Sequence, residues 1–239
     1  MSTSTGLECV YLIRHGETAW SLSGQHTGRT DLPLTEHGQR ESSTLGARLQ
    51  AITFAHVLTS PLLRARQTCE LAGLGDVMEI DPDLTEWDYG DYEGSLLVDI
   101  HRDRPGWSLF RDGCPHGEMP AHVCRRADRI ITRVRALRGN VALCSHGHFG
   151  RVLAARWIGL PVAAAQHFLL GTASLSVLGY EHDRADQSAI ALWNAVSNDS
   201  SRPPSGRSAA DVPTMRTRAL DRWENEGGEV LHNTKGRVT

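Results

Sequence analysis

Lysine is almost absent: of 25 basic residues all but Lys235 are arginine. Arginine makes forked contacts to phosphate, although a general arginine bias also follows genome composition. The net charge of -3 leaves no basic footprint for nucleic acid, and none is expected as a partner. No run approaches ~18 consecutive apolar residues, which excludes a hydrophobic transmembrane helix. Residues 1–6 show neither a basic start nor an apolar stretch of signal length, so a cytoplasmic location with no membrane association is expected. Five cysteines form no Cys-x-x-Cys pair. Cys9, Cys69, Cys114, Cys124 and Cys144 are widely spaced and odd in number, so reduced thiols are expected rather than disulfides or zinc. No internal repeat is present.

What is there reads as one domain over 7–196, followed by a polar tail. An apolar run over 9–13 predicts a buried strand ending at Arg14-His15-Gly16. Thr35 caps an expected helix to about Gln50, with Glu36 in its first turn. A strand is expected over 56–59, then a helix started by Ser60-Pro61 as cap and first-turn proline, with Leu62, Leu63, Ala65 and Leu71 on its apolar side. A third strand over 77–80 precedes an acidic and aromatic loop over 83–94. Val123, Ala127, Ile130, Ile131 and Val134 recur at helical spacing within 118–137, with arginines between them. A buried strand over 141–145 ends, like the first, in a histidine-glycine turn. A helix over about 149–159 and strands over 174–179 and 189–195 follow. Alternation of strand and helix predicts a three-layer α/β/α domain with a largely parallel central sheet. Ligands of such sheets bind beyond the carboxyl ends of the strands, where both histidine-glycine turns emerge. Residues 197–239 have too little apolar content to offset the entropy of ordering, and are expected to be a disordered tail with a short helix near 214–226.

A neutral imidazole with one ring nitrogen fixed by a hydrogen bond can attack phosphorus through the other. Phosphoryl transfer further needs charge-stabilising donors around the phosphoryl oxygens and an acid for the leaving oxygen. His15 is the candidate nucleophile, with Arg14 beside it, Arg64 early in a helix that begins at a strand end, and His146 at another strand end. Glu86 is the candidate acid, because Trp87 and Tyr89 would raise its pKa by desolvation. His15, His146 and His148 are too few for a metal cluster of suitable spacing, so neither metal nor other cofactor is expected.

Five blocks, over 12–20, 27–35, 59–68, 86–94 and 145–148, stand in the order found in the histidine phosphatase superfamily, whose founding members are the cofactor-dependent phosphoglycerate mutases. The chain resembles that family from about Glu8 to Asn194, and a phosphoglycerate mutase-like fold is implied. The resemblance implies that His15 is transiently phosphorylated within a clamp of Arg14, Arg64 and His146. It implies that Glu86 protonates the leaving alcohol and then helps water attack phosphohistidine. Ser21, Thr27 and Gly28 fall where the mutases line the phosphate and substrate entry, and Tyr89 where a substrate-contacting tyrosine lies.

Two departures turn the expectation from mutase to phosphatase. The mutases carry a long insertion with lysine and paired arginines before the second histidine block, whereas here the span through 107–118 is short and has no such pair. His148 stands where the mutases have asparagine and is expected to line the pocket. The blocks at 87–94 and 111–114 look most like those of fungal sedoheptulose-1,7-bisphosphatases and of bacterial mutase-like acid phosphatases. The expected activity is therefore metal-independent hydrolysis of a small phosphorylated metabolite, a sugar phosphate or bisphosphate, through phosphohistidine. Alternatives are mutase-type transfer, a protein phosphohistidine phosphatase, and a non-catalytic regulatory module. An exposed loop position is the ordinary expectation for His116, the alternative being that a cover over 95–120 brings it to the pocket. Oligomeric state stays open, with a homodimer as one option.

Overall fold

The computed structural model describes residues 8–196; the tail and the helix expected near 214–226 lie outside them. Six strands form one sheet in the order β3-β2-β4-β1-β5-β6. They are β1 (Val10–Arg14), β2 (Phe54–Thr59), β3 (Met78–Ile80), β4 (Asn140–Ser145), β5 (Leu175–Tyr180) and β6 (Ser188–Ala195). β1 to β4 run parallel, β5 pairs antiparallel with β1, and β6 pairs antiparallel with β5 at the edge. The largely parallel sheet expected from the sequence is thus present, with an antiparallel edge.

Among the described residues seven α-helices accompany it: α1 (Ala19–Ser23), α2 (Glu36–Leu49), α3 (Leu63–Leu71), α4 (Leu97–Asp103), α5 (Leu109–Asp112), α6 (Pro120–Ala136) and α7 (Gly147–Trp157). Side-chain alternation along the strands divides the interior in two. Val10 and Leu12 of β1, with Val141 and Leu143 of β4, pack in the cluster of α6 and α7. Ile13, Ala142 and Cys144, one residue out of phase, pack with Leu45 of α2 and Cys69 of α3. Helices therefore lie on both faces, and the central strands read as unbroken apolar runs. Among the described residues no helix is long and apolar enough to cross a membrane. None of the five cysteines forms a disulfide, and Cys69, Cys114 and Cys144 are buried.

Three local differences from the sequence reading bear on the site. Helix α3 starts at Leu63, and its cap position, Leu62, has no side-chain cap. Ser60, expected as that cap, instead accepts the Leu62 amide at 3.2 Å and bonds His146 Nε2 at 2.7 Å. Helix α7 starts at Gly147, two residues early, because His146 occupies its cap position in extended backbone. Finally, the 95–120 segment is no loose lid: Trp107, Leu109 and Phe110 are buried in the main core.

Candidate active site

The two histidine turns meet because of register. Arg14 of β1 pairs with Ser145 of β4, so the residues that follow, His15 and His146, stand side by side with ring centroids 5.2 Å apart. His15 is held through its backbone on both flanks, its amide donating to Ser145 O at 3.0 Å and its carbonyl accepting from Ala173 N at 3.0 Å. The next amide, Gly16 N, donates to Thr68 Oγ1 of α3 at 2.9 Å. Gly16 must be glycine, since a Cβ there would lie 2.4 Å from the Gly38 carbonyl oxygen.

The His15 tautomer follows from its neighbour. Nδ1 lies 2.8 Å from Gly16 O, and a carbonyl only accepts, so Nδ1 carries the proton and Nε2 keeps its lone pair. Burial, together with the Arg64 and Arg14 charges, holds the imidazole well below the usual histidine range. Neutral His15 is the stable form at pH 7, and the neutral form is the nucleophilic one.

Arg64, 0% exposed, is fixed by three carbonyls of the loop over 27–30: Nη1 donates to Thr30 O at 3.0 Å, and Nη2 to Thr27 O at 3.0 Å and Gly28 O at 2.9 Å. Its Nε is buried and has no hydrogen-bond partner. Arg14 donates through Nη1 to Leu170 O. His146, also 0% exposed, has its pKa lowered far below the ordinary value by burial and then by Arg64. Its Nδ1 is buried without a partner. Two buried polar atoms left unmet in one small region are unusual, and a ligand's oxygens are the ordinary explanation of such a cluster.

Glu86 sits against the start of α7. Oε1 accepts the Trp87 and Phe149 amides at 2.9 and 2.8 Å, and Oε2 accepts the His148 amide at 3.0 Å. It therefore meets two of the first-turn amides that an α-helix leaves unpaired. Burial raises its pKa, and the three amides and Arg64 only partly oppose that shift. The capping geometry and the raised pKa coexist.

A cleft of about 450 Å³, its open mouth included, is lined by Arg14, His15, Ser21, Thr27, Glu86, Tyr89 and His148, along with Trp20, Gln25 and His26. Seven of the ten residues singled out from the sequence line it, the His146 ring stands beside that of His15, and the Arg64 charge acts on the His15 imidazole. Gly28 is the correction: it lines a separate depression, and its contribution is a carbonyl for Arg64 and an amide donated to Glu93 at 2.9 Å. A Cβ at Gly28 would lie 2.5 Å from Trp87 O, so close packing and not ligand entry requires glycine there. Tyr89 OH and His148 Nδ1 are 2.5 Å apart. His116 does not line the cleft; it is exposed and pairs with Asp91 at 2.9 Å. Among the described residues no three His, Cys, Asp or Glu side chains are grouped to hold a metal ion.

Several residues of this site escaped the sequence reading. His26, one position before a recognised block, lines the cleft with Nδ1 donating to Ser95 O at 3.0 Å. Arg126, taken as one of the arginines between apolar positions, is buried and binds Glu118, Asp83 O, Thr85 O and Glu86 O. Its spacing was the available clue, because it falls three residues after Val123 and four before Ile130, on the buried face of α6.

Residues 10–196 match the model of the histidine phosphatase superfamily, branch 1. The chain belongs to the histidine phosphatase superfamily. Among relatives in this superfamily, it is 41% identical over 175 residues to an acid phosphatase of Mycobacterium tuberculosis, covering 72% of this chain and 86% of that protein. It is 32% identical over 246 residues to sedoheptulose 1,7-bisphosphatase of Saccharomyces cerevisiae, covering 76% of this chain and 90% of that one. That alignment is longer than the part of this chain it takes in, so the yeast protein carries inserted segments that are absent here. A solved structure of a Mycobacterium tuberculosis open reading frame product superimposes with a TM-score of 0.75 at 37% identity, over 79% of this chain and 98% of that one.

The two buried histidines also predict a pH effect on folding. Their folded pKa values lie below the unfolded 6.5, so as pH falls through 6.5 the unfolded chain takes up protons that the folded chain refuses. Stability is then lost on the acid side. The melting temperature is expected to drop between pH 7.5 and 5.5, and less steeply in His15→Asn; a rise over that interval would contradict the buried neutral imidazoles.

Proposed function

We propose that the protein is a metal-independent phosphomonoesterase that hydrolyses a small phosphorylated metabolite, a sugar phosphate or bisphosphate, through a phosphohistidine at His15. The observation that carries this reading is the His15 tautomer, with Nδ1 tied to the Gly16 carbonyl and a neutral ring between two arginines. The acid phosphatase and bisphosphatase names of its relatives support hydrolysis of phosphate esters.

In this reading His15 Nε2 attacks phosphorus as the ester P–O bond breaks. Arg14, Arg64 and His146 hold the equatorial oxygens, and the unmet Arg64 Nε and His146 Nδ1 supply donors for them. Glu86, whose pKa burial raises, gives its proton to the leaving alkoxide. Water then attacks phosphorus with Glu86 as base, and His15 departs neutral with its lone pair restored. Ser21, Thr27, Tyr89 and His148 line the leaving-group side, and a free small molecule is the partner this cleft takes.

The pH profile follows from the two shifts. His15 must be neutral, which holds above its lowered pKa, and Glu86 must be protonated, which holds below its raised one. kcat/KM is expected to fall as pH rises through the raised Glu86 pKa, with the falling limb removed in Glu86→Gln. An alkaline optimum would rule out Glu86 as the acid.

Phosphate release from a panel of sugar mono- and bisphosphates, with and without chelator, tests the whole reading. Release that survives chelation is expected, with an alkali-stable, acid-labile phosphoenzyme. Activity lost on chelation overturns the metal-free mechanism, and phosphate moved within 3-phosphoglycerate without release would indicate a mutase.

A further inference from the structure

Ser60 meets the site through sheet register. β2 runs beside β4 with Thr59 opposite Cys144, and the Ser60 amide donates to Cys144 O at 3.0 Å. That pairing brings the Ser60 hydroxyl to the His146 ring, where Oγ and Nε2 lie 2.7 Å apart with both residues 0% exposed. The direction of this bond follows from the valence of oxygen. A serine hydroxyl has one proton and two lone pairs, and one lone pair of Ser60 Oγ accepts the Leu62 amide at 3.2 Å. Among the described residues, that amide and His146 Nε2 are the hydroxyl's two hydrogen-bond partners. If Nε2 also donated, the hydroxyl proton would be buried with no acceptor, which is costly. The hydroxyl therefore donates to Nε2. Burial and the Arg64 charge keep the ring neutral at pH 7, so its one proton lies on Nδ1.

The place of that proton bears on the chemistry. Nδ1 is the ring atom of His146 that is buried without a partner in the protein, and Arg64 Nε is in the same position. Protonated, Nδ1 is a donor waiting for an acceptor, and phosphoryl oxygens are acceptors. In the other tautomer it would meet those oxygens with a lone pair, which repels them. His15 carries its proton on Nδ1 as well, fixed there by the Gly16 carbonyl. The two neutral rings, with centroids 5.2 Å apart, thus serve opposite ends: His15 turns the Nε2 lone pair on phosphorus, and His146 turns the Nδ1 proton on oxygen.

We infer that Ser60 is a positioning residue of this reaction: its hydroxyl fixes His146 as the neutral tautomer protonated at Nδ1, and so makes it a hydrogen-bond donor to the transferring phosphoryl group. The role rests on the proposed phosphatase function, whereas the place of the proton is a property of the resting protein.

The test reads the proton directly. On the full chain with isotope-labelled histidine, long-range proton–nitrogen correlations at pH 7.5 show which ring nitrogen is protonated, with His146 assigned by its absence in His146→Gln. A protonated Nδ1 and a bare Nε2 are expected, and orthovanadate, as a phosphoryl mimic, is expected to move the Nδ1 proton downfield. In Ser60→Ala the form protonated at Nε2 is expected to appear, and kcat on p-nitrophenyl phosphate to fall about 100-fold, the scale of losing one donor to the transferring group, with a smaller change in KM. Ser60→Thr keeps a hydroxyl and suits the extended backbone before a proline, so it is expected to restore the tautomer and most of kcat. A wild-type His146 protonated at Nε2 overturns the inference and leaves the phosphatase reading standing. So does a folded Ser60→Ala whose kcat stays within about three-fold of wild type. If no phosphohistidine forms from any donor, the phosphatase reading falls and the role of Ser60 in it falls too.

Discussion

Replacing His15 by alanine is expected to lower phosphate release by about 10⁴-fold or more, the scale of removing a covalent nucleophile. The radiolabelled phosphoenzyme should vanish with it. Nothing nearby can take over: the His146 ring is the nearest imidazole, with centroids 5.2 Å apart, and its Nε2 is engaged with Ser60 Oγ at 2.7 Å. The arginines cannot serve, being cations without a lone pair. The fold should survive, because the turn is held by the backbone of His15 and by Gly16 N, neither of which the substitution removes. The buried, desolvated ring is also a destabilising feature at low pH, so the variant should melt no lower than wild type at pH 5.5. Circular dichroism and phosphate release on one preparation separate loss of chemistry from loss of structure. Activity within about ten-fold of wild type would exclude His15 as nucleophile.

Arg126→Met is the change expected to cost the most stability, about 3 kcal/mol, since removing one partner of a buried pair strands the other. Glu118 would lose both bonds at 2.7 and 2.8 Å, and the Asp83, Thr85 and Glu86 carbonyls would lose their donor. The guanidinium also lies 4.7 Å from the centre of the Phe149 ring, whose amide binds Glu86. In a domain of this size that loss should lower the melting temperature by about 10 °C. Because Arg126 meets Glu86 at its backbone carbonyl and not at its carboxylate, it is a positioning residue: kcat should fall more than KM changes, and the falling limb of the pH profile should move. Adding Glu118→Leu should restore part of the stability, because the stranded carboxylate is then gone. A melting temperature within about 2 °C of wild type would show the pair to be dispensable.

The layered architecture was legible because it depends on periodicity. The apolar runs that became β1 and β4, and the 3–4 spacing in α6, record which positions are buried. The reaction was legible for a different reason: Arg14, His15 and Gly16 are covalent neighbours, so the fixed tautomer is nearly a local property of one turn. Arg64 could be placed near the site from its block, but the three carbonyls that hold it come from a loop more than thirty residues away in sequence.

The remainder depends on which polar atoms meet across long distances in the chain. Ser60-Pro61 has the local form of a helix cap, yet its hydroxyl is taken by His146, 86 residues on. Glu86 was readable as a buried acid but not as the group that meets the first amides of α7, since that contact exists only once β4 docks between β1 and β2. Arg126 carries the charge of a surface residue on the buried face of its helix, and the Glu118 carboxylate with the Asp83, Thr85 and Glu86 carbonyls makes that tolerable. Sequence by itself determined the family, the sheet and the phosphoryl-transfer turn, because each is set by neighbours or by a repeating pattern. Tertiary structure alone decided which polar groups hold Arg64, His146 and Glu86 in place, because hydrogen bonds saturate one partner at a time and the partners come from distant segments.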